Sequence, residues 1–147
     1  MPTIRCVSCR QAYPAQGLPH VCPACGGVFD FDGPPLFDPA QVDPRQPGMW
    51  RYRAAFDLFE GAPVVTLGEG QTPLVWVQQD GRSIGLKLES LNPTGSYKDR
   101  GTAVLVSQLR ARGAASAVED SSGNAGASFA AYAARAGMRG RVFVPAS

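Results

Sequence analysis

The chain has 147 residues, 44% of them hydrophobic and 18% charged, with a formal net charge of +2. This length suits one ordinary domain, and so small a charge gives no argument for binding nucleic acid or an anionic membrane surface. No apolar run approaches the roughly 18 residues needed to cross a bilayer as a helix, and the opening Met-Pro-Thr-Ile-Arg-Cys has no apolar signal core, so no membrane partner and a cytoplasmic location are expected.

Residues 1–32 read as a zinc ribbon. Cys6, Cys9, Cys22 and Cys25 are the only cysteines, spaced C-x2-C-x12-C-x2-C. Each Cys-x-x-Cys pair can form a knuckle that aims two thiolates at one ion, and two knuckles complete a tetrahedral S4 site. Without a secretory signal, a structural Zn2+ is favoured over disulfides. A thioredoxin-like redox role would need an adjacent βαβ unit, which the local sequence lacks. Gly26-Gly27 suits the knuckle turn, and His20, the single histidine, reads as a surface residue because four thiolates already close the site. Arg5 and Arg10 are balanced by Asp30 and Asp32, so the ribbon has no basic face and no nucleic-acid partner is expected.

Residues 33–48 form a linker, since Pro34, Pro35, Pro39, Pro44 and Pro47 oppose regular structure. The aromatic run Met49 to Glu60 predicts a short helix or a packing arm. Gly68-Glu69-Gly70-Gln71-Thr72-Pro73-Leu74 is a turn, and it lacks the third glycine of a dinucleotide fingerprint. Val75 to Val77 predicts a strand, Asp80-Gly81 a hairpin turn, and Ile84 to Glu89 an alternating strand with Lys87 solvated or ion-paired.

Next comes Asn92-Pro93-Thr94-Gly95-Ser96-Tyr97-Lys98-Asp99-Arg100-Gly101. Of the 14 basic residues only Lys87 and Lys98 are lysines. Arginine cannot lose its proton near neutral pH, so a lysine kept among arginines is a candidate for amine chemistry. The pattern predicts a helix over 96–112, with Val104, Leu105 and Leu109 facing the core and Gly113 stopping it. A strand over 114–118, a polar turn over 119–126, a helix over 124–135 lined with alanines, a stop at Gly137 and a strand over 139–144 follow. Strand, helix, strand, helix, strand implies βαβ units and a parallel sheet, with ligand loops at the carboxyl ends of the strands. Loops 92–98 and 121–126 lie there, each before a helix N-terminus that can take an anion.

The chemistry is an amine at one helix start and an asparagine with free amides at another. No G-K-[ST] follows for a Walker A loop, and no histidine stands near Ser121 or Ser122 to activate a hydroxyl. Lys98 suits bonding to a carbonyl; taken alone, it could equally be a surface ion pair with Asp99.

The stretch 92–101 resembles the Schiff-base lysine motif of the fold-type II pyridoxal-phosphate enzymes, the tryptophan synthase β-like family. Ser121-Ser122-Gly123-Asn124-Ala125-Gly126 resembles that family's S-x-G-N loop. Leu67 to Leu74 is similar to the segment opening the catalytic domain of the threonine synthases within it, a subgroup of which also carries an N-terminal zinc ribbon. The resemblance implies an α/β fold: the parallel-sheet βαβ portion of a fold-type II enzyme over 49–147, preceded by the small ribbon. It implies pyridoxal 5'-phosphate held by Lys98, which would also move the substrate's protons. It implies Asn124 on the cofactor's 3′ oxygen, and Ser121, Ser122, Asn124 and Ala125 around the α-carboxylate of a small-molecule amino-acid substrate. Thr94 and Ser96 would shape the loop beside that substrate, while Asp99 and Arg100 would fix the helix. The implied reaction is the lyase conversion of O-phosphohomoserine and water to threonine and phosphate, in threonine biosynthesis. Threonine or serine dehydratases and diaminopropionate ammonia-lyases share these motifs, and a non-catalytic zinc-ribbon binding module is a third reading. The family's Gly-rich loop for the cofactor phosphate and its group facing the pyridine nitrogen are not found in 1–147. The stretch is therefore expected to be partial and inactive by itself, with a homodimer as one candidate assembly of the full-length form.

Overall fold

The computed structural model describes residues 4–33, 37–56, 58 and 61–146. Pro34 and Pro35 of the linker, Asp57, Phe59 and Glu60 of the aromatic run, and the first three residues of the ribbon lie outside the described residues. The chain divides into two compact units, Met1–Asp43 with Tyr52–Asp57, and Pro44–Arg51 with Leu58–Ser147.

The first unit is organised by its cysteines. β1 (Ile4–Cys6) pairs antiparallel with β2 (Phe29–Phe31), Cys6 opposite Phe29. Two chain reversals hang from this ladder and resemble each other. The Arg10 N–H donates to the Cys6 carbonyl at 3.0 Å, and the Gly26 N–H to the Cys22 carbonyl at 2.8 Å. Each donor is the fourth residue after the first cysteine of its pair, and each has left-handed backbone, φ 64° at Arg10 and 73° at Gly26. Tyr13 meets Phe29 edge-on with ring centroids 4.6 Å apart. Both arginines of the ribbon converge on one acid: Asp32 takes Arg5 Nε at 3.0 Å and also pairs with Arg10. His20 is exposed.

The described part of the linker includes a 3-10 turn, Pro39–Gln41, capped by Asp38, whose Oδ1 accepts the Ala40 N–H at 2.9 Å. The aromatic run forms 3-10 helix, Gly48–Ala55, broken at Tyr52 where φ is −100° and ψ 17°. One of the boundaries between the two units falls at that break.

In the second unit, Gly48, Met49 and Trp50 are buried against the turn at 68–70, the Met49 N–H donating to the Glu69 carbonyl at 3.1 Å. The crossing is close enough that a Cβ on Gly70 would stand 2.6 Å from Met49 N. β3 (Leu74–Gln79) and β4 (Arg82–Lys87) form an antiparallel hairpin with Gln79 opposite Arg82. Asp80 and Gly81 close it with φ 50° and 72°, as a two-residue turn with positive φ at both positions requires.

α1 (Lys98–Ala111) leads into β5 (Ser116–Asp120), and α2 (Asn124–Arg135) carries the chain to β6 (Arg139–Phe143). β5 and β6 pair in parallel, Val118 opposite Arg141, so β5–α2–β6 is a βαβ unit. The sequence places the strand before α1 in the same sheet. The structure instead pairs it with β3, because the tight turn at 80–81 brings that partner alongside locally. Both helices end in the same motif: Gly113 and Gly137 have φ 76° and 65°, and the next N–H reaches back, Ala114 to Leu109 and Met138 to Ala133, at 3.0 and 2.9 Å.

The buried stripe of α1 differs from the one expected. It is Asp99, Thr102, Ala103, Val106 and Ser107, the i, i+3, i+4, i+7, i+8 pattern of one helix face. Leu105 is 48% exposed and Val104 and Leu109 are half-buried. Within this stripe, Ser107 Oγ accepts the Val65 N–H at 2.9 Å and donates to the Ala103 carbonyl at 2.7 Å. α2 packs on β6 through small residues. A Cβ on Gly126 would lie 2.8 Å from Val142 Cγ1, and one on Gly140 3.2 Å from the Phe129 ring.

Candidate functional site

Lys98 is the first residue of α1 and is half-buried. Its Nζ lies 5.1 Å from the centroid of the exposed Tyr97 ring, and no described residue accepts a hydrogen bond from it or forms an ion pair with it. The ion pair with Asp99 that the sequence allows is not formed. Asp99 is fully buried and turns the other way. Its carboxylate accepts the Thr94 N–H at 2.7 Å, the Thr94 hydroxyl, and the Ser128 hydroxyl of α2 at 2.7 Å. Ser96 is also buried, and its Oγ accepts the Lys98 N–H at 3.3 Å. Thr94 and Ser96 thus spend their polar groups within the loop that delivers Lys98. The other lysine, Lys87, donates to the Thr72 carbonyl.

The second loop follows β5. The Ser121 N–H donates to the Phe143 carbonyl at 2.9 Å, which ties the loop to the end of β6. Ser121 Oγ accepts the Gly123 and Gly126 N–H groups at 3.1 and 2.8 Å, so this side chain caps α2 from within. Ser122 and Asn124 are exposed and Ala125 is half-buried. The N–H groups of Asn124 and Ala125 have no acceptor among the described residues. Free N–H groups at a helix start form an anion site. Ser128, one turn into α2, is hydrogen-bonded to Asp99, one residue into α1. That bond joins the start of α1 to α2 one turn from its own start.

Two further acids organise this region, and the sequence does not single them out. Glu69 is fully buried in what reads as a plain turn. It accepts the Trp50 indole N–H at 2.6 Å, the Tyr132 hydroxyl at 2.6 Å, the Thr66 hydroxyl at 3.1 Å and the Leu67 N–H at 3.0 Å. Burial, Glu69 and Asp99 all push the Tyr132 hydroxyl upward in pKa. Glu89 holds Arg100 through both Nε and Nη2 at 2.7 Å, and also accepts Thr72 Oγ1 at 2.7 Å and Asn92 Nδ2 at 2.9 Å. The Arg100 guanidinium, above the other donors, lowers Glu89 to about 2. Asn92 completes the frame by accepting the Gly70 N–H at 3.0 Å. A lone Glu between two glycines, with a Trp and a Tyr far along the chain, has no spacing signature by which it could be found.

In the ribbon, the ligand atoms of Cys6, Cys9, Cys22 and Cys25 all lie within 4.8 Å of one another. Cys6 Sγ is 3.5 Å from Cys25 Sγ, and Cys9 Sγ is 3.6 Å from Cys22 Sγ. A tetrahedron with zinc–sulfur bonds of about 2.3 Å has edges of about 3.8 Å, so the cluster fits a tetrahedral S4 ion. The four thiols also influence one another's ionisation. The Cys9 N–H, against desolvation and with help from the Ser8 N–H, lowers Cys6 to about 6. The Gly27 N–H favours the Cys25 thiolate too, yet hydrogen bonding to the Cys9 and Cys6 sulfurs, with desolvation, pushes Cys25 up to about 12. Without a positive ion, one thiolate of the group raises the cost of the next. Gly27 is required by this packing, since a Cβ there would lie 2.9 Å from Cys6 Sγ.

The chain is 33% identical over 151 residues to the threonine synthase of Methanocaldococcus jannaschii, covering 96% of this chain and 37% of that protein. It is 42% identical over 100 residues to the threonine synthase of Synechocystis, covering 64% of this chain and 26% of the relative. With the threonine synthase of Mycobacterium leprae it shares 46% identity over 98 residues, 64% of this chain and 27% of the relative. The match thus spans between about a quarter and somewhat over a third of the length of these curated relatives. Residues 65–147 match the family described as pyridoxal-phosphate dependent enzyme, a span that holds both loops and both helices, and the chain belongs to that family.

Proposed function

We propose that the whole protein is a threonine synthase-like lyase that converts O-phosphohomoserine and water to threonine and phosphate. In this reading, residues 1–32 form a structural zinc ribbon, 33–48 a linker, and 49–147 the N-terminal portion of the catalytic domain. Residues 1–147 by themselves would bind the cofactor weakly and would not turn over. The carrying observation is the half-buried Lys98 amine, without a hydrogen-bond or ion-pair partner among the described residues, at the helix start that Asp99 ties to α2. The similarity to three proteins named threonine synthase supports the choice of reaction.

The residues present fit pyridoxal phosphate. An amine without an acceptor is available to its aldehyde, and an exposed asparagine with free N–H groups stands at the neighbouring helix start. When bound, the cofactor supplies an electron sink for charge developing at the substrate's α carbon. Lys98 Nζ would hold it and then carry protons from the α and β carbons. Asn124 would hydrogen-bond its 3′ oxygen. The N–H groups of Asn124 and Ala125 and the Ser122 hydroxyl would take the substrate's α-carboxylate, while Ser121, by capping α2, keeps those N–H groups in place. Thr94 and Ser96 would hold the loop rather than the substrate.

These groups address the parts that all α-amino acids share. Serine or threonine dehydration and diaminopropionate deamination therefore use the same set, and the product decides. The whole enzyme should release inorganic phosphate from O-phosphohomoserine in a Lys98-dependent manner. Ammonia from serine, threonine or diaminopropionate, with no phosphate release, would identify one of those reactions instead. Function surviving Lys98→Ala and lost in Cys22→Ser would leave a zinc-ribbon binding module. The cofactor assignment has its own test in residues 1–147: incubation with pyridoxal phosphate, borohydride reduction and peptide mapping. Reductive trapping records even brief occupancy, and Lys98 should be labelled at least about tenfold over Lys87, as a positioned amine requires; equal labelling of the two lysines would overturn it.

A further inference from the structure

Asp99 neighbours the cofactor lysine in sequence yet faces away from it, into the protein. It is fully buried, and its partners come from two different elements. Two bonds come from Thr94, backbone and hydroxyl, in the loop before Lys98. The third comes from Ser128, one turn inside α2. Ser128 is itself fully buried, so this contact is shielded from water, where a charge-assisted hydrogen bond is strong and directional. The Lys98 amine makes no hydrogen bond to α2 among the described residues, and Arg100 holds Glu89 and Thr72.

We propose that Asp99 is a positioning residue, whose carboxylate, shared between Thr94 and Ser128, fixes the first turn of α1 with Lys98 against the first turn of α2 with Asn124. The inference rests on the reading of Lys98 as the cofactor lysine, and it adds the device that sets where the amine stands relative to the second loop. Two helix starts joined by one buried bond can hold an amine and an amide in fixed register; the same starts without it can slide, and small displacements of a reacting group are costly to its rate of reaction.

The test uses residues 1–147 with a mild variant, since Asp99→Asn could fail to fold. Ser128→Ala removes only the bond to α2 and leaves the Thr94 bonds. Ser107→Ala serves as control: it removes a buried serine on the same face of α1 that holds the Val65 N–H instead. Trapping with pyridoxal phosphate and borohydride reads the ratio of Lys98 to Lys87 label. Ser128→Ala should lower that ratio by about threefold or more, while Ser107→Ala, at a comparable loss of thermal stability, should keep it. A ratio unchanged in Ser128→Ala, or lowered equally in both, overturns the proposal. Amide hydrogen exchange without cofactor gives a second readout. Exchange at the starts of α1 and α2 should quicken in Ser128→Ala and not in Ser107→Ala, and equal exchange in the two overturns the clamp. Should unaltered protein show no preference for Lys98, the cofactor reading fails, and the exchange comparison still decides the clamp.

Discussion

The Tyr132 hydroxyl donates to Glu69 Oε2 at 2.6 Å between two groups that are both fully buried and stand 63 residues apart. Glu69 takes three other donors, so hydrogen bonds from the described residues stand around its carboxylate. Removing one donor leaves the carboxylate in place and under-satisfied. Tyr132→Phe should therefore cost about 1–3 kcal/mol, seen as a lower midpoint in urea or thermal unfolding. Trp50→Phe, which removes a different donor to the same carboxylate, should be destabilising in the same direction.

The Glu89 cluster predicts an acid limb of the stability curve. Its folded pKa of about 2 lies below the ordinary 4.5. A carboxylate depressed on folding contributes fully above the unfolded value, and the contribution disappears as pH falls through the folded value. Stability should therefore decline between about pH 5 and 2. The side chain is 25% exposed, so solvent screening reduces the contribution to on the order of 1–2 kcal/mol. Arg100→Gln should flatten this part of the curve while lowering stability at pH 7; urea titrations across the range measure both.

The ribbon predicts metal-dependent order. One zinc per chain should be found by elemental analysis, and cobalt should bind with thiolate charge-transfer absorbance. Chelation should quicken hydrogen exchange in β1 and β2, whose short ladder has little apolar support. Gly27→Ala should weaken metal affinity by at least about tenfold, because its methyl group would crowd the Cys6 sulfur and Ser8.

Two glycines in adjacent helices should respond in opposite directions. Gly126→Ala places a methyl 2.8 Å from Val142 Cγ1 and should destabilise by about 1–3 kcal/mol through overpacking. Gly101→Ala meets nothing within 4 Å on the exposed side of α1, so it should stabilise by about 0.5–1 kcal/mol through helix propensity. Thermal melts of the two variants check the pair.

What was legible in the sequence follows from how local the cause is. Gly113 and Gly137 mark the helix ends because the left-handed residue after a helix is a property of one position. Asp80-Gly81 marks the hairpin for the same reason. The cysteine spacing marks the cluster because each knuckle closes within a few residues. The buried face of α1 was not legible from apolar periodicity, since its stripe includes Asp99, Thr102 and Ser107. Those side chains are buried because partners at Thr94, Ser128 and Val65 satisfy two of them, and two of those partners are 29 and 42 residues away. Glu69 was hidden likewise by donors 19 and 63 residues distant. Within the candidate site, the residue types at Lys98 and Asn124 stood out, whereas the use of Ser121 as a cap became visible only with the geometry.

The crossing of 48–50 over 68–70 has a consequence for how this protein can vary. Gly48 would meet the Glu69 carbonyl and Gly70 the Met49 nitrogen, and both neighbours are main-chain atoms. A crowded side chain can be relieved by trimming another side chain elsewhere, but no substitution trims a peptide group. Both glycines also have left-handed backbone, φ 59° and 89°, so the restriction is doubled at each. Second-site suppressors of a replacement at either position would have to move the backbone itself, through insertion or deletion in the adjoining segments, rather than repack around the added carbon.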